Sequence, residues 1–141
     1  MPDITPSERW NNSTSGYYWL RRPKCAGMIA HHGLAKLDEF GRYWIFELKP
    51  TGPRFTDIDG FADGEEVIVE DWKPLTRSFE IEPRIAQIRA RRRPFSLLFW
   101  NCEHLANYVW QGKDESKQVK GWSTVALIIL GVFMGAANLR K

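Results

Sequence analysis

The stretch from Leu97 to Val109, LLFWNCEHLANYV, decides how this chain reads. An apolar run, FSLLFW at 95–100, stops at Asn101, and Cys102, Glu103 and His104 follow in a row. Leu105, Ala106 and Val109 then recur at helical spacing. Asparagine is a good N-cap, because its short side chain accepts hydrogen bonds from the first-turn N–H groups. The pattern predicts a buried strand feeding a helix whose first turn holds Cys102. Unpaired N–H groups and the helix dipole favour a thiolate there, so the thiol pKa is expected to fall. A lone cysteine is more often just a buried small residue. The helix start argues for a nucleophile instead.

A thiolate nucleophile needs a base, usually histidine. His104 is two residues along the helix, so it points about 200° away from Cys102. His31 and His32 lie on a predicted strand at 26–36, AGMIAHHGLAK. Strand parity separates them, since Ile29, His31, Gly33 and Ala35 share one face and Ala30, His32 and Leu34 the other. Gly33 and Ala35 are small and let a helix approach closely. That favours His31 as the general base and gives His32 a structural role. A second strand, RYWIFELK at 42–49, follows the turn-like DEFG. If residues 38–40 form a three-residue loop and Gly41 is left-handed, His31 faces Glu47 across the ladder. Glu47 interrupts the apolar Trp44, Ile45, Phe46 and Leu48, and an acid there requires a partner. It is the candidate orienting acceptor.

The rest of the chain bounds the possibilities. Its 141 residues fit one domain, and 43% apolar with 26% charged residues is an ordinary globular mix. A net charge of +3 is too small to argue for nucleic acid. The charge is clustered, in Arg89, Arg91, Arg92 and Arg93 and in Arg21, Arg22 and Lys24, which suits an anionic membrane surface. Two cysteines, Cys25 and Cys102, do not make a disulfide scaffold, so a reducing compartment is the default. No CxxC or HxxxH spacing exists, which disfavours zinc. Residues 1–16 are polar, read as a loose arm, and contain no signal peptide.

PTGPRFTDIDG at 50–60 reads as a loop, and EEVIVEDW at 65–72 as a third strand. Ile81, Ile85 and Ile88 mark one face of a helix that Pro94 ends. QGKDESKQVKG reads as a polar linker. The last segment, Trp122 to Leu139, carries no charge and is flanked by Lys117, Lys120, Arg140 and Lys141. As a helix it spans about 27 Å, which leads to the expectation of a C-terminal transmembrane anchor at 121–141. The domain between, 17–120, is then the catalytic one, placed on the cytoplasmic side.

The NCEHL motif, Asn101 to Leu105, resembles the NCEHF of the lecithin:retinol acyltransferase-like family, which includes the HRAS-like suppressor phospholipase/acyltransferases. HHGLA (31–35) and SKQV (116–119) fall in the matching order, and the likeness covers roughly residues 20–139. It implies an α+β, circularly permuted papain-like fold. A small antiparallel sheet packs on the helix carrying the nucleophilic cysteine, and an apolar helix follows at the C-terminus. It implies Cys102 as nucleophile and His31 as base. Glu47 stands where the family often has a second histidine, so its role as third residue is the departure. Asn101, Glu103, His104 and His32 are then structural, and Arg89, Arg91, Arg92 and Arg93 face the membrane. The implied function is a phospholipase A or thiol acyltransferase acting on glycerophospholipids through an acyl-thioester, with no metal or organic cofactor. Two alternatives stay open: a cysteine amidase or peptidase of the related cell-wall hydrolase group, and a non-catalytic membrane-bound interaction module.

Overall fold

The computed structural model describes residues 4–96, 100–121, 124 and 126–130. It is a mixed α+β fold. Five antiparallel strands, β1 (Gly16–Lys24), β2 (Ile29–Leu37), β3 (Tyr43–Lys49), β4 (Gly52–Thr56) and β5 (Ile68–Lys73), form one sheet in the order β4-β3-β2-β1-β5. Four helices pack with it: α1 (Pro6–Asn11), α2 (Ile58–Ala62), α3 (Ile81–Arg91) and α4 (Cys102–Gln111).

Both faces of the sheet are covered. On one, Tyr17, Leu34, Phe46 and Leu48 meet Ile81, Ile85 and Ile88 of α3 and Leu105, Val109 and Trp110 of α4. On the other, Tyr18, Leu20, Ala35, Leu37 and Ile45 pack with Phe61 of α2 and, at its margin, Trp10 of α1. Each such side chain, fully buried, contributes about 1.5–3 kcal/mol. Coverage of both faces also explains why β1 carries no alternating signal. Tyr17 and Tyr18 point to opposite sides, and both are buried.

Three elements differ from the pattern reading. Residues 50–60 are not all loop, since Gly52–Thr56 add the edge strand β4 beside β3. Within the N-terminal arm, Thr5 and Glu8 close a capping box on α1, and Trp10 sits edge-on to Tyr18 at 4.9 Å. The β2–β3 register is Gly33 opposite Glu47, two residues from the expected pairing. The cause is the turn. Gly41 is left-handed (φ 77°), but it is the last loop residue rather than the first strand residue. Asp38 N–H bonds Arg42 O at 2.9 Å, so the three-residue loop is 39–41. A shift of one would have turned every side chain to the other face; a shift of two preserves the faces. Glu47 therefore remains on the His31 side, displaced diagonally.

The C-terminal expectation is corrected. Among the described residues no helix is long and apolar enough to cross a membrane, which overturns the transmembrane helix and the single C-terminal anchor. Residues 117–121 are helical but carry Lys117 and Lys120, and the described apolar part reduces to 124 and 126–130. The remainder of Trp122–Leu139 lies outside the described residues.

Candidate active site

Asn101 caps α4 as its residue type predicts. Its Oδ1 accepts from the Glu103 and His104 N–H groups at 3.0 and 3.1 Å. His104 Nδ1 accepts in return from the Asn101 N–H at 3.2 Å. This reciprocal box fixes the first turn and with it the position of Cys102. It uses the Glu103 and His104 N–H groups, while the Cys102 N–H has no acceptor among the described residues.

The thiol lies against the edge of β2. Cys102 Sγ donates to Ala30 O at 3.8 Å, and the His32 backbone N–H also faces it. Burial pushes the thiol pKa up and outweighs that N–H and the nearby Lys24. The expected lowering by the helix start does not occur, because loss of water costs the thiolate more than one helix end returns. The resting group is a protonated thiol.

β2 offers this edge because its ladder with β3 ends at Gly33–Glu47. Gln118 completes what β3 leaves open. Its Oε1 accepts from Ala30 N–H at 2.8 Å and its Nε2 donates to Ala30 O at 3.2 Å. Glu103 holds Gln118 in place, accepting at one oxygen from Ser116 Oγ (2.6 Å) and Gln118 N–H (2.9 Å). Burial would raise the Glu103 pKa, but these bonds hold it below the usual carboxylate value. The third residue of NCEH is thus the clamp for the SKQ segment. The polar-linker reading of 111–121 had missed Ser116 and Gln118 as site residues.

His31 and Glu47 form a buried pair, with His31 Nε2 donating to Glu47 Oε1 at 2.6 Å. The tautomer is that of a neutral ring whose lone pair is on Nδ1. Glu47 Oε2 accepts from Arg54, Nε and Nη2 each at 2.8 Å. Burial pushes the His31 pKa down, and Arg22 and Lys49 push with it against the Glu47 bond. Burial acts to raise Glu47, but its bonds from His31 and Arg54 bring it below the ordinary value. Arg54 was hidden in the predicted loop. The alternation in PRFT, after a Gly-Pro turn, was the one signal for it.

Sheet faces divide the two histidines. His31 shares its face with Glu47 and Phe61, whose ring lies 5.3 Å away. His32 is on the α4 face, where Trp19 Nε1 donates to its Nδ1 at 3.0 Å. Burial pushes His32 down to about 4. The helix close to Gly33 is therefore α2 and not the cysteine helix. A Cβ on Gly33 would stand 2.6 Å from the Phe61 ring. No hydrogen bond joins the thiol to either imidazole. Cys102 and His31 lie along the same stretch of β2, the thiol at its edge beside Ala30 and the imidazole on the face away from the body of α4.

No family model matches this chain, and comparison with curated proteins and with solved structures gives no match either. The reading of the site therefore rests on its own geometry.

The basic clusters separate in the same way. Arg89, Arg92 and Arg93 line a cleft of about 530 Å³ between the 50–53 turn and Phe95. Arg93 bonds Asp114 at 2.6 Å. Arg91 lies with Arg93 near Trp100 and Tyr108. Arg22 is not a surface charge: it is 4% exposed and its Nε donates to Phe61 O at 2.5 Å. The described residues contain no cluster of three His, Cys, Asp or Glu able to hold a metal ion.

Proposed function

We propose that this chain is a cysteine-dependent acyltransferase or phospholipase A of the lecithin:retinol acyltransferase-like kind, with a circularly permuted papain-like fold. The observation that carries the reading is the buried His31–Glu47 pair, on the same strand whose open edge receives the Cys102 thiol. With Nε2–H spent on Glu47, the His31 ring has one basic site left, Nδ1. The order in the chain, histidine strand first and cysteine helix later, fits the permuted arrangement.

In this reading the thiol exchanges its Ala30 carbonyl acceptor for the imidazole and passes its proton to His31. The sulfur attacks an ester carbonyl of a glycerophospholipid. The alcohol leaves with the proton from His31, and the acyl group stays on sulfur as a thioester. In this reading the Cys102 N–H, left without an acceptor by the cap, serves as the backbone donor to the oxyanion. Water, an alcohol or an amine then takes the acyl group. Glu47 orients the imidazole without taking the proton.

The test is direct. The protein is incubated with phosphatidylcholine radiolabelled in its acyl chains. A hydroxylamine-sensitive label on the protein, absent from Cys102→Ala and from His31→Asn, supports the reading. Cleavage of a peptide amide with no acyl label transfers the site to the amidase class. Neither activity, with cellular effects intact in Cys102→Ala, leaves a non-catalytic interaction module.

A further inference from the structure

We infer that Arg54 is a positioning residue: it neutralises Glu47 so that Glu47 serves His31 as an orienting acceptor and not as the counter-ion of an imidazolium. This rests on the reading of His31 as the base, but its test does not depend on acyl transfer.

Glu47 is wholly buried, and the strand register sets Arg54 directly opposite it, on the same face. Both guanidinium contacts fall on Oε2, which leaves Oε1 to His31 alone. A buried carboxylate with one partner draws a proton onto that partner, because an unpaired charge away from water is costly. If His31 were the only partner, the pair would settle as glutamate with imidazolium. An imidazolium has no lone pair and accepts nothing from a thiol. Arg54 supplies the compensating charge from a side chain that still reaches water, being 47% exposed.

The other groups around His31 act in the same sense or not at all. Arg22 stands across from it on β1, and Lys49 follows on β3; both oppose a second positive charge. The packed helix α2 presents Phe61, while its Asp59 and Asp63 are exposed. Cys102 at the strand edge is a neutral thiol. Among the described residues Glu47 is thus the one acidic group bonded to the ring, and Arg54 is the group that decides how much of its charge the ring feels.

The experiment is an NMR titration of the His31 ring and the Glu47 carboxyl in the full chain, for wild type, Arg54→Gln and Arg54→Lys. Because the two groups share a hydrogen bond, they titrate as a pair. Arg54→Gln should take up the pair's proton at least about tenfold more tightly, that is, at a higher pH by a unit or more. Arg54→Lys keeps the charge and should return the titration to within about threefold of wild type. An Arg54→Gln titration that is unchanged, or moved to lower pH, overturns the inference. Should Arg54→Gln not fold, the wild type decides. The Arg54 Nε–H resonance must shift along the His31 titration curve, and one that ignores it overturns the inference as well. Acyl labelling of Cys102 is read separately, so failure of the enzyme reading is told apart from failure of the Arg54 role.

Discussion

Gln118 pairs with Ala30 as a further strand would. Its carboxamide presents one acceptor and one donor to the N–H and C=O that β3 leaves unpaired, at 2.8 and 3.2 Å. The same Ala30 carbonyl takes the Cys102 thiol. A side chain eighty-eight residues away in sequence therefore closes the edge on which the candidate nucleophile rests.

Gln118→Ala is expected to lower stability by about 1–3 kcal/mol, since it strands the Ala30 N–H and leaves the Ala30 carbonyl to the thiol alone. Urea denaturation measures this. In a Cys25→Ser background, the same substitution should speed alkylation of Cys102. Unchanged alkylation would mean that Gln118 does not guard the thiol.

The thiol's own chemistry follows from its burial. Its pKa is raised, so the alkylation rate of Cys102 in Cys25→Ser should still be climbing beyond pH 9. A plateau reached below pH 8 would show an activated thiolate in the free protein and contradict the resting arrangement at Ala30.

Acid should destabilise the fold before the ordinary carboxylates titrate. His31, His32 and His104 all have lowered pKa values, burial being the first cause in each, and His32 falls to about 4. The unfolded imidazoles take protons near the ordinary value of 6.5. The stabilisation from neutral histidines is thus complete above pH 6.5 and is lost as pH falls toward 4. The loss is on the order of 3 kcal/mol. Chemical denaturation at pH 7.5, 6, 5 and 4.5 tests this; a flat profile over that range would exclude it.

Gly33 is fixed by close approach, not by backbone freedom. Gly33→Ala drives a methyl to 2.6 Å from the Phe61 ring and should cost about 1–3 kcal/mol. Phe61→Leu in the same chain should recover part of it, as read from melting temperatures. Absence of any rescue would place the strain elsewhere.

Much of this was legible in the sequence, for reasons that can be stated residue by residue. Val67 and Val69 alternate against charges, and part of that run forms β5. Ile81, Ile85 and Ile88 repeat at helical spacing and dock α3. Asn101 caps α4 because its short side-chain carbonyl reaches the N–H groups of Glu103 and His104. What stayed hidden was decided between elements. Tyr17 through Arg22 gave no period because both faces of β1 are covered. Pro53 and Gly52 masked β4, and with it Arg54. The parity of β2 separated His31 from His32 correctly, but parity does not say which helix takes which face. That choice went to Leu34, Phe46 and Leu48, whose apolar surface accepts Leu105 and Val109 and leaves the Gly33 side to Phe61. The thiol pKa was misjudged because helix position is local, whereas desolvation is set by the whole fold.

The thiol's contact with Ala30 spans seventy-two residues, and the Gln118 contacts span eighty-eight. During synthesis the sheet, complete at Lys73, can form well before the cysteine helix emerges, and the edge at Ala30 is closed only after Gln118 has been made. Contacts of such separation form late, because chain closure must precede any gain from them. A chain that stops short of Gln118 therefore lacks the carboxamide that closes the Ala30 edge beside Cys102.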